Sequence, residues 1–289
     1  MTAPNPPVGA VALDASGRII AAAAHERVGG PHAEAKLLEM CFEKDLLKQI
    51  HTLVVTLEPC NHQGRTGPCS EAIIRSGVQC VVFGAKDPNT RVAGDGAGRL
   101  RKAGIQVIEG VLKSECEFLI RSFKHWVTSG WPWVTIKIAR NREGSMIPPL
   151  GQKTFTAAES LLLAHKLRKR ADAILTGSGT VLADNPEFTV RNVPDHVGKT
   201  RWLVLMDRRR RVPDKWIKSL ETKGFMVQRP ESIVDGLKFL GEKGCLEVLV
   251  EAGPTLSQEV LDSGLWNEKV TIQQGAPGGA DRVETTFQK

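Results

Sequence analysis

The spacing of apolar positions along residues 1–129 switches repeatedly between a strand-like and a helix-like period. Short apolar or β-branched runs predict strands, and apolar residues that recur once per helical turn predict helices. The predicted strands are 8–13, 18–23, 52–57, 79–84 and 105–109. The predicted helices are 32–42, 69–76, 97–103 and 113–128. Alternating elements of these lengths are typical of an α/β layered sheet.

The same alternation restarts after Ser129-Gly130-Trp131-Pro132, a turn-rich segment that predicts a domain boundary. The predicted strands beyond it are 133–139, 172–176, 202–206, 245–250 and 268–273. The predicted helices are 157–169, 231–240 and 255–264. We therefore expect two α/β domains, 1–129 and 130–289, which the length of the chain readily allows.

Composition places the chain among soluble globular proteins. Hydrophobic residues make up 41% of the 289 residues and charged residues 25%. No apolar run has the length of a membrane span, and the N-terminus lacks the charged-then-apolar pattern of a signal peptide. Six cysteines are too sparse for a disulfide scaffold. These features predict a cytoplasmic protein.

Charge favours an anionic partner without deciding which one. The formal net charge is +7, with basic runs at 168–170 and 208–211. Nucleic acid and phosphorylated small molecules would both suit this balance. Aromatic residues are only 5% of the chain and there is no tyrosine, so no platform for stacking single strands is evident.

Two cysteines lie at the ends of predicted elements and face one loop. Pro59 should end the strand 52–57 because it has no N–H for a sheet ladder, which leaves Cys60 at the strand's mouth. Cys69 follows after eight intervening residues and opens the helix 69–76. This placement predicts a metal pair, although two cysteines at such a spacing are also found as buried thiols.

An upstream H-x-E segment supplies the groups that such a pair would need. Zinc nucleobase deaminases combine H-x-E with a later Pro-Cys and a second cysteine, and their glutamate moves protons without binding the metal. His32, Cys60 and Cys69 would then hold zinc and leave a fourth position for water, while Glu34 would act as the proton carrier. A closed structural zinc is the alternative, and His62 is the only nearby candidate for its fourth ligand.

Two glycine-containing turns follow strands in the second half. The strand 172–176 runs into Gly177-Ser178-Gly179-Thr180, and Val250-Glu251-Ala252-Gly253-Pro254-Thr255 has the same design. Backbone N–H groups in such turns can receive a pyrophosphate, so together they favour a nucleotide pocket. Tight strand-to-helix turns also need glycine for steric reasons, and no G-x-G-x-x-G is present.

These motifs together resemble those of the bifunctional riboflavin-biosynthesis deaminase-reductase family, and the resemblance covers nearly the whole chain. The eight-residue gap between the cysteines is specific, because cytidine and tRNA-adenosine deaminases usually have two. The first half carries the resemblance at 4–11, 30–34, 56–60, 64–69, 87–89 and 92–94, and the second half at 173–176, 180–186, 189–191 and 250–256.

The resemblance implies a cytidine-deaminase-like three-layer domain followed by a dihydrofolate-reductase-like α/β domain. The first would use Zn²⁺ to hydrolyse the ring amine of 2,5-diamino-6-ribosylamino-4(3H)-pyrimidinone 5′-phosphate. The second would reduce the ribosyl group of the product to ribityl with NADPH. By motif position, the substrate contacts in the first domain would be Asn5, His62, Arg65, Asp87 and Asn89. Asp-Pro-Asn is equally a good turn in any protein, so the last two could have that role alone.

In the second domain, motif positions imply contacts with cofactor and substrate. Lys137, Thr180 and the Gly253 turn would meet NADPH, and Asp184 and Arg191 would meet the ribose and phosphate of the substrate. Asp184 precedes Asn-Pro and could instead be a structural cap. Arg168 matches a motif arginine to which we assign no role.

Three departures from the family pattern bear on the second activity and on the start of the chain. The family begins with a helix ahead of the Pro-Asn-Pro segment, whereas this chain starts almost on it, which predicts a truncated start or a substitute in the packing. A Ser-Leu-Asp-Gly segment reads Asn141-Arg142-Glu143-Gly144 here. The stretch 273–279 is polar where an apolar strand is expected, which predicts a shortened and impaired reductase domain.

The leading hypothesis is therefore a zinc deaminase joined to an NADPH-dependent reductase, acting on a phosphorylated pyrimidine and forming homo-oligomers. One rival is a deaminase whose second domain is only a scaffold. A rival of another class is a basic nucleic-acid-binding protein with a structural zinc, for which no recognised motif is present.

Overall fold

The protein is described by a computed structural model that covers residues 2–62, 67–89, 95–149, 151–152 and 154–288. These residues form two compact units that divide between Ser129 and Gly130. Gly130 has φ = 79°, a left-handed conformation that glycine adopts without strain and that ends the preceding helix. The division coincides with the point at which the apolar pattern restarts.

The first unit is a five-stranded sheet with helices on both faces. Its strands are β1 (Gly9–Leu13), β2 (Ile19–Ala24), β3 (Thr52–Leu57), β4 (Cys80–Ala85) and β5 (Gln106–Glu109). Its helices are α1 (Ala33–Glu43), α2 (Cys69–Ser76), α3 (Gly96–Lys102), α4 (Lys113–Leu119) and α5 (Arg121–Ser129). The strand order is β2-β1-β3-β4-β5, with β1 antiparallel to both neighbours and β3, β4 and β5 parallel.

One side of this sheet carries α1, α2 and α3. Leu37 of α1, Ile73 of α2 and Leu100 of α3 are fully buried in one cluster with strand residues that include Val81. A side chain at position 84 would face the other side of the sheet, because side chains alternate along a strand. A side chain there would overlap the sulfur of Cys116 in α4, so glycine lets α4 approach and complete the third layer.

The single helix expected at 113–128 is two helices. Ile120 ends α4 with φ = −98° and ψ = 10°, and α5 begins at the next residue. Ile120 is buried with Cys116 against Leu57 and Ala85. Tertiary packing thus divides a segment whose apolar period is continuous.

The second unit is a seven-stranded sheet in the order β12-β11-β6-β10-β7-β8-β9. Its strands are β6 (Trp133–Arg140), β7 (Ala173–Gly177), β8 (Arg201–Met206), β9 (Phe225–Gln228), β10 (Glu247–Val250), β11 (Glu268–Gln273) and β12 (Arg282–Phe287). Its helices are α6 (Ala158–Arg170), α7 (Ser178–Asp184), α8 (Asp214–Glu221), α9 (Ile233–Glu242) and α10 (Pro254–Asp262). All neighbouring strands are parallel except β12, which pairs antiparallel with β11.

Helices cover both faces of this second sheet. Leu237 of α9 and Val260 of α10 are buried against one face, and Leu167 of α6 and Leu220 of α8 are buried against the other. The predicted α/β architecture of both halves is confirmed. Across the described residues, no helix is both long and apolar enough to cross a membrane.

The sequence pattern missed four short elements of the second unit: α7, α8, β9 and β12. The strand β12 (Arg282–Phe287) is mostly exposed and has no apolar alternation, so only backbone pairing with β11 reveals it. The polar stretch 273–279, read as a missing apolar strand, is the end of β11 and the loop that leads to β12. The edge strand β12 needs few apolar residues because it is mostly exposed to solvent. The shortened reductase domain stays a prediction.

Asp281 ties this polar loop to the start of α6. Its carboxylate accepts hydrogen bonds from the backbone N–H of Ala157 at 2.8 Å and from that of Gly275 at 3.1 Å. Burial opposes its ionisation, but the hydrogen bond from Ser160 and these two backbone donors outweigh burial and lower the pKa of Asp281.

Candidate active sites

Three side chains with metal-ligating atoms converge at the ends of three elements of the first unit. His32 is the N-cap of α1, Cys60 follows β3 directly after Pro59, and Cys69 is the first residue of α2. His32 Nδ1 lies 3.5 Å from Cys60 Sγ and 3.3 Å from Cys69 Sγ. All three atoms lie within 4.8 Å of one another.

This arrangement fits a tetrahedral zinc ion. Zinc–sulfur and zinc–nitrogen bonds at the tetrahedral angle place a sulfur and a nitrogen ligand about 3.6 Å apart, close to the observed distances. Two thiolates and one imidazole are also a donor set that zinc accepts. Within the described residues this group has three members, and His62, the candidate fourth ligand of a closed site, is not among them. Three protein ligands with an open position are typical of a catalytic zinc site.

Contacts within the site shift the pKa values of the two thiols. A hydrogen bond from the Cys69 thiol, with a further one from His32, lowers the pKa of Cys60 to about 4, even though burial acts in the opposite direction. The hydrogen bond with Cys60, together with burial, raises the pKa of Cys69.

Glu34 lies in the first turn of α1, two residues after His32, and is only 3% exposed. Burial raises its pKa to about 7, and the charge on Cys60 adds to this rise. The carboxyl group lines the same cavity as His32 and Cys60. A buried carboxyl group at this place can receive and return a proton.

A cavity of about 260 Å³ opens beside these groups. Its polar lining residues are Asn5, His25, His32, Glu34, Glu58, Cys60, His62, Asp87 and Asn89, and its apolar lining residues are Pro4, Pro6, Val8, Leu57, Phe123 and Trp126. Four of the five residues expected to contact the substrate are in this set. The fifth, Arg65, lies outside the described residues.

His25 fixes the orientation of Asn5 in the cavity. His25 Nδ1 lies 2.9 Å from the carbonyl oxygen of Pro31, which can only accept, so Nδ1 carries the proton. In the neutral ring Nε2 must then accept from the Asn5 amide at 3.1 Å. Burial lowers the pKa of His25, which favours this neutral form. The side-chain oxygen of Asn5 is therefore directed away from His25 and is available to a ligand.

The acidic corner of the cavity combines turn structure with a ligand-facing surface. The Asp87 carboxylate accepts a hydrogen bond from the backbone N–H of Asn89 at 2.9 Å, so the turn role considered for this segment is present. Burial raises the pKa of Asp87, and the nearby Glu58 adds to this rise. His62 Nδ1 is buried and has no hydrogen-bond partner among the described residues. An unpaired buried nitrogen that borders a cavity is suited to a polar ligand.

A larger cavity of about 840 Å³ lies at the carboxyl ends of β7 and β10 in the second unit. Both glycine turns, 177–180 and 253–256, line it, and so does Asp184. The two turns are joined by a hydrogen bond of 2.8 Å from the Gly253 N–H to Thr180 Oγ1. Ligands bind at such carboxyl edges in open parallel sheets.

The arginine run contributes a basic rim to this cavity. Asp207, which follows β8, is buried and accepts the backbone N–H groups of Arg211 at 2.9 Å and Val212 at 3.0 Å. This folds the loop so that Arg208, Arg209 and Arg211 line the cavity, whereas Arg210 is not among the described lining residues.

Lys137 and Arg191 lie in a different group, outside the described lining of that cavity. Lys137 Nζ is 3.9 Å from the buried carboxylate of Glu251, which Arg168 binds through two nitrogens at 2.5 and 2.8 Å. Burial opposes ionisation of Glu251, but Arg168 outweighs it and lowers its pKa. The side chain of Arg191 pairs with Glu187 at 2.5 Å. The structure thus gives Arg168 a definite partner that the sequence did not indicate.

Sequence reasoning missed four residues that line the first cavity: His25, Glu58, Phe123 and Trp126. His25 lies outside the motifs, and Glu58 lies in the segment 56–60 that carries the resemblance but received no role there. Phe123 and Trp126 are three positions apart in α5, a helical spacing that could have marked them as sharing a face, but not which cavity that face would meet.

Comparisons with known families give one match in each unit of the fold. Residues 1–85 match the model for the cytidine and deoxycytidylate deaminase zinc-binding region, and residues 132–286 match the model for the RibD C-terminal domain. The second match includes the polar loop and most of β12.

Individual relatives match along most of their length. The riboflavin biosynthesis protein RibD of Aquifex aeolicus is 36% identical, over 94% of this chain and 81% of the relative. RibD of Mycobacterium tuberculosis is 38% identical, over 92% and 77%. The crystal structure of a diaminohydroxyphosphoribosylaminopyrimidine deaminase/5-amino-6-(5-phosphoribosylamino)uracil reductase from Thermotoga maritima superposes with a TM-score of 0.82 at 33% identity, covering 96% of this chain and 83% of that one.

These matches decide between the functional hypotheses. Both a deaminase region and a reductase region are present. This finding supports the bifunctional enzyme, and it favours neither a deaminase with a scaffold domain nor a nucleic-acid-binding protein. The family couples zinc-dependent deamination to NADPH-dependent reduction in riboflavin biosynthesis. The chain belongs to the RibD family of bifunctional riboflavin-biosynthesis deaminase-reductases.

Proposed function

We propose that the first unit, 1–129, hydrolyses the ring amine of 2,5-diamino-6-ribosylamino-4(3H)-pyrimidinone 5′-phosphate, with His32, Cys60 and Cys69 as the zinc ligands. The observation that carries this proposal is the meeting of three ligand atoms and the buried Glu34 at one cavity. A zinc ion held by these residues would lower the pKa of a water molecule towards neutrality, which is the chemistry that it would supply to the reaction.

Glu34 carries the proton in this reaction. It accepts the proton released by the attacking water and delivers it to the exocyclic amine, which leaves as ammonia. The remaining hydroxyl proton passes to the adjacent ring nitrogen as the carbonyl forms on the ring carbon. Its position inside the cavity, 3% exposed, keeps bulk water from competing for that proton. Water enters and ammonia leaves, so no oxidant or reductant is consumed.

Polar groups of the cavity orient the substrate for this step. Asn5, held by His25, presents a side-chain oxygen that can accept from an exocyclic amine of the pyrimidine. Asp87, Asn89 and His62 face the hydroxyl groups of the ribose. Arg65, by its motif position, supplies the bidentate donors that a phosphate needs.

The second unit, 130–289, would then reduce the ribosyl group to ribityl with NADPH. We assign the cofactor to the cavity between the glycine turns, where Thr180 and Gly253 are joined and where the arginine rim offers charge to phosphate groups. Asp184 lines the same cavity. Lys137, beside Glu251, would meet the nicotinamide end of the cofactor, and Arg191 would meet the substrate.

Mass spectrometry of the diaminopyrimidine substrate, incubated with zinc-loaded protein and NADPH, tests both steps at once. Deamination exchanges an amine for oxygen and adds about 1 Da, and hydride reduction adds about 2 Da more. We expect both gains. A gain of about 1 Da alone would remove the reductase proposal, and no gain would remove both.

We also propose that the protein acts in the cytoplasm and self-associates, on the basis of its cysteine usage and of the resemblance to its family. Cell fractionation and light scattering on the eluted protein test these two points. Its cationic charge is directed at phosphorylated small molecules, so RNA affinity that falls steeply with salt would contradict this use of the charge.

A further inference from the structure

The helix α5 directs an aromatic face into the deaminase cavity. Phe123 and Trp126 are three residues apart, which places them on the same side of a helix. Both side chains line the cavity that contains Glu34. Phe123 is only 7% exposed, whereas Trp126 is half-buried.

The polar residues of the cavity do not provide an apolar contact for the faces of a bound ring. A pyrimidine ring has polar atoms along its edge but apolar π-faces, so hydrogen-bonding groups hold the edge and a flat apolar side chain is needed against the face. Among the described lining residues, Phe123 and Trp126 are the two with carbocyclic aromatic rings. The other apolar members are aliphatic and offer smaller surfaces.

The size of the cavity makes this contact close. A volume of about 260 Å³ lies below the usual range for ligand pockets, so a bound heterocycle must touch the walls. Aromatic side chains that stack on a base contribute strongly and tolerate differences in the ring's substituents. A wall of this kind selects for a flat ring over a saturated one.

We propose that the indole of Trp126 packs against the face of the substrate's pyrimidine ring and helps to determine specificity for a planar heterocycle. This inference rests on the proposed deaminase function of the first unit. Trp126 takes no part in proton transfer, so its removal weakens binding of the substrate and leaves the chemical step unchanged.

Two substitutions of Trp126 separate an aromatic wall from simple packing. Trp126→Leu keeps an apolar side chain without a π-face, and Trp126→Phe restores the π-face. We expect W126L to raise KM for the diaminopyrimidine about tenfold with kcat within about twofold, and W126F to recover most of the loss. All variants should keep one zinc per chain. An unchanged KM in W126L, or a fall in kcat or zinc content with KM unchanged, would overturn the proposal.

Fluorescence gives a binding measurement that does not depend on turnover. Of the six tryptophans, Trp126 alone precedes residue 130, and the other five belong to the second unit. We expect titration with the diaminopyrimidine to change the emission of the wild type and of a Trp266→Phe control, and the part due to Trp126 to vanish in W126F. Emission that responds identically in W126F would contradict the inference.

The two experiments distinguish failure of this inference from failure of the proposed function. Suppose that the wild type does not deaminate the compound, but that W126F, unlike W266F, lacks the change in emission on titration. The proposed contact of Trp126 with the ring is then supported, and the proposed reaction is wrong. If the wild type deaminates it and neither KM nor emission depends on Trp126, the reaction stands and the wall is wrong.

Discussion

At the scale of single residues, the first unit places the proposed metal ligand His32 and the proposed proton carrier Glu34 in different surroundings. His32 and Glu34 are two residues apart at the start of α1, yet one meets the thiols and the other is almost wholly buried in the cavity wall. The N-cap has extended backbone, with φ = −64° and ψ = 159°, whereas Glu34 is already helical. Because of this change of backbone conformation, the two side chains leave the chain in different directions.

Substituting each residue should therefore give different defects. We expect His32→Ala to lose zinc and activity together, because two thiols remain where three ligands were needed. Glu34→Gln should retain one zinc per chain while its deamination rate falls by at least about 10²-fold, since the amide cannot carry a proton. Metal analysis and a single-turnover assay on the same samples measure both quantities. A Glu34→Gln protein with an unchanged rate would refute the proton-transfer role.

At the scale of elements, one carboxylate helps to hold the polar ending of the second unit in place. Asp281 joins the loop before β12 to the start of α6 and to Gly275. Both contacts are backbone N–H donors, so both atoms of the carboxylate must accept. The strand that follows could not be recognised from its own residues, since its place depends on pairing with β11 and on this anchor.

Asp281→Asn should destabilise the second unit, because the amide nitrogen must face one of two N–H donors. The pKa of Asp281 is lowered in the fold, so its charge stabilises the fold above the unfolded pKa and this contribution is lost as pH falls through the folded pKa. We expect a loss of about 1 kcal/mol at pH 7 that shrinks below about pH 4. Thermal unfolding at the two pH values measures it.

Glu284→Gln is the matched control for that measurement. It removes the same charge from an exposed position in β12 and should leave the unfolding temperature unchanged at both pH values. An equal loss in both variants would mean that net charge, and not the Asp281 contacts, sets the stability.

The loop after β8 should decide between NADPH and NADH. Arg208 and Arg209 line the larger cavity of the second unit, to which we assign NADPH. NADPH differs from NADH by a phosphate group, which arginine binds well. We expect the R208A/R209A double variant to raise KM for NADPH at least about tenfold and to leave KM for NADH nearly unchanged. Initial-rate assays with each cofactor measure the ratio.

Arg210 provides the control within the same run, because it is exposed but is not among the described lining residues. R210A should leave both KM values unchanged. A similar loss in R210A, or an equal loss with NADH, would mean that the run acts through overall charge and not through contact with the cofactor.

At the scale of the whole molecule, each unit has its own core and its own cavity. The candidate metal-ligand group belongs to the first unit, and the larger cavity, to which we assign NADPH, belongs to the second. Each activity should therefore respond to its own cofactor.

Removing zinc should silence only one of the two reactions. We expect a chelator to abolish the 1 Da gain of the substrate, whereas NADPH oxidation with supplied 5-amino-6-(5-phosphoribosylamino)uracil should stay within about twofold. Chelator saturated with zinc beforehand is the control and should change neither rate. Loss of both reactions on chelation would show that the second unit depends on the metal.

The sequence by itself determined the order of most strands and helices and the place of the glycine turns, and it indicated the three side chains that meet as a candidate metal site. These depend on local rules: apolar period, the missing N–H of proline, and ligating side chains at the ends of elements. Only the tertiary structure decided that His25 orients Asn5, that Arg168 holds Glu251, that Trp126 faces the cavity and that β12 completes the second sheet. Each of these contacts joins separate segments, and no local pattern records which surfaces meet when the chain folds.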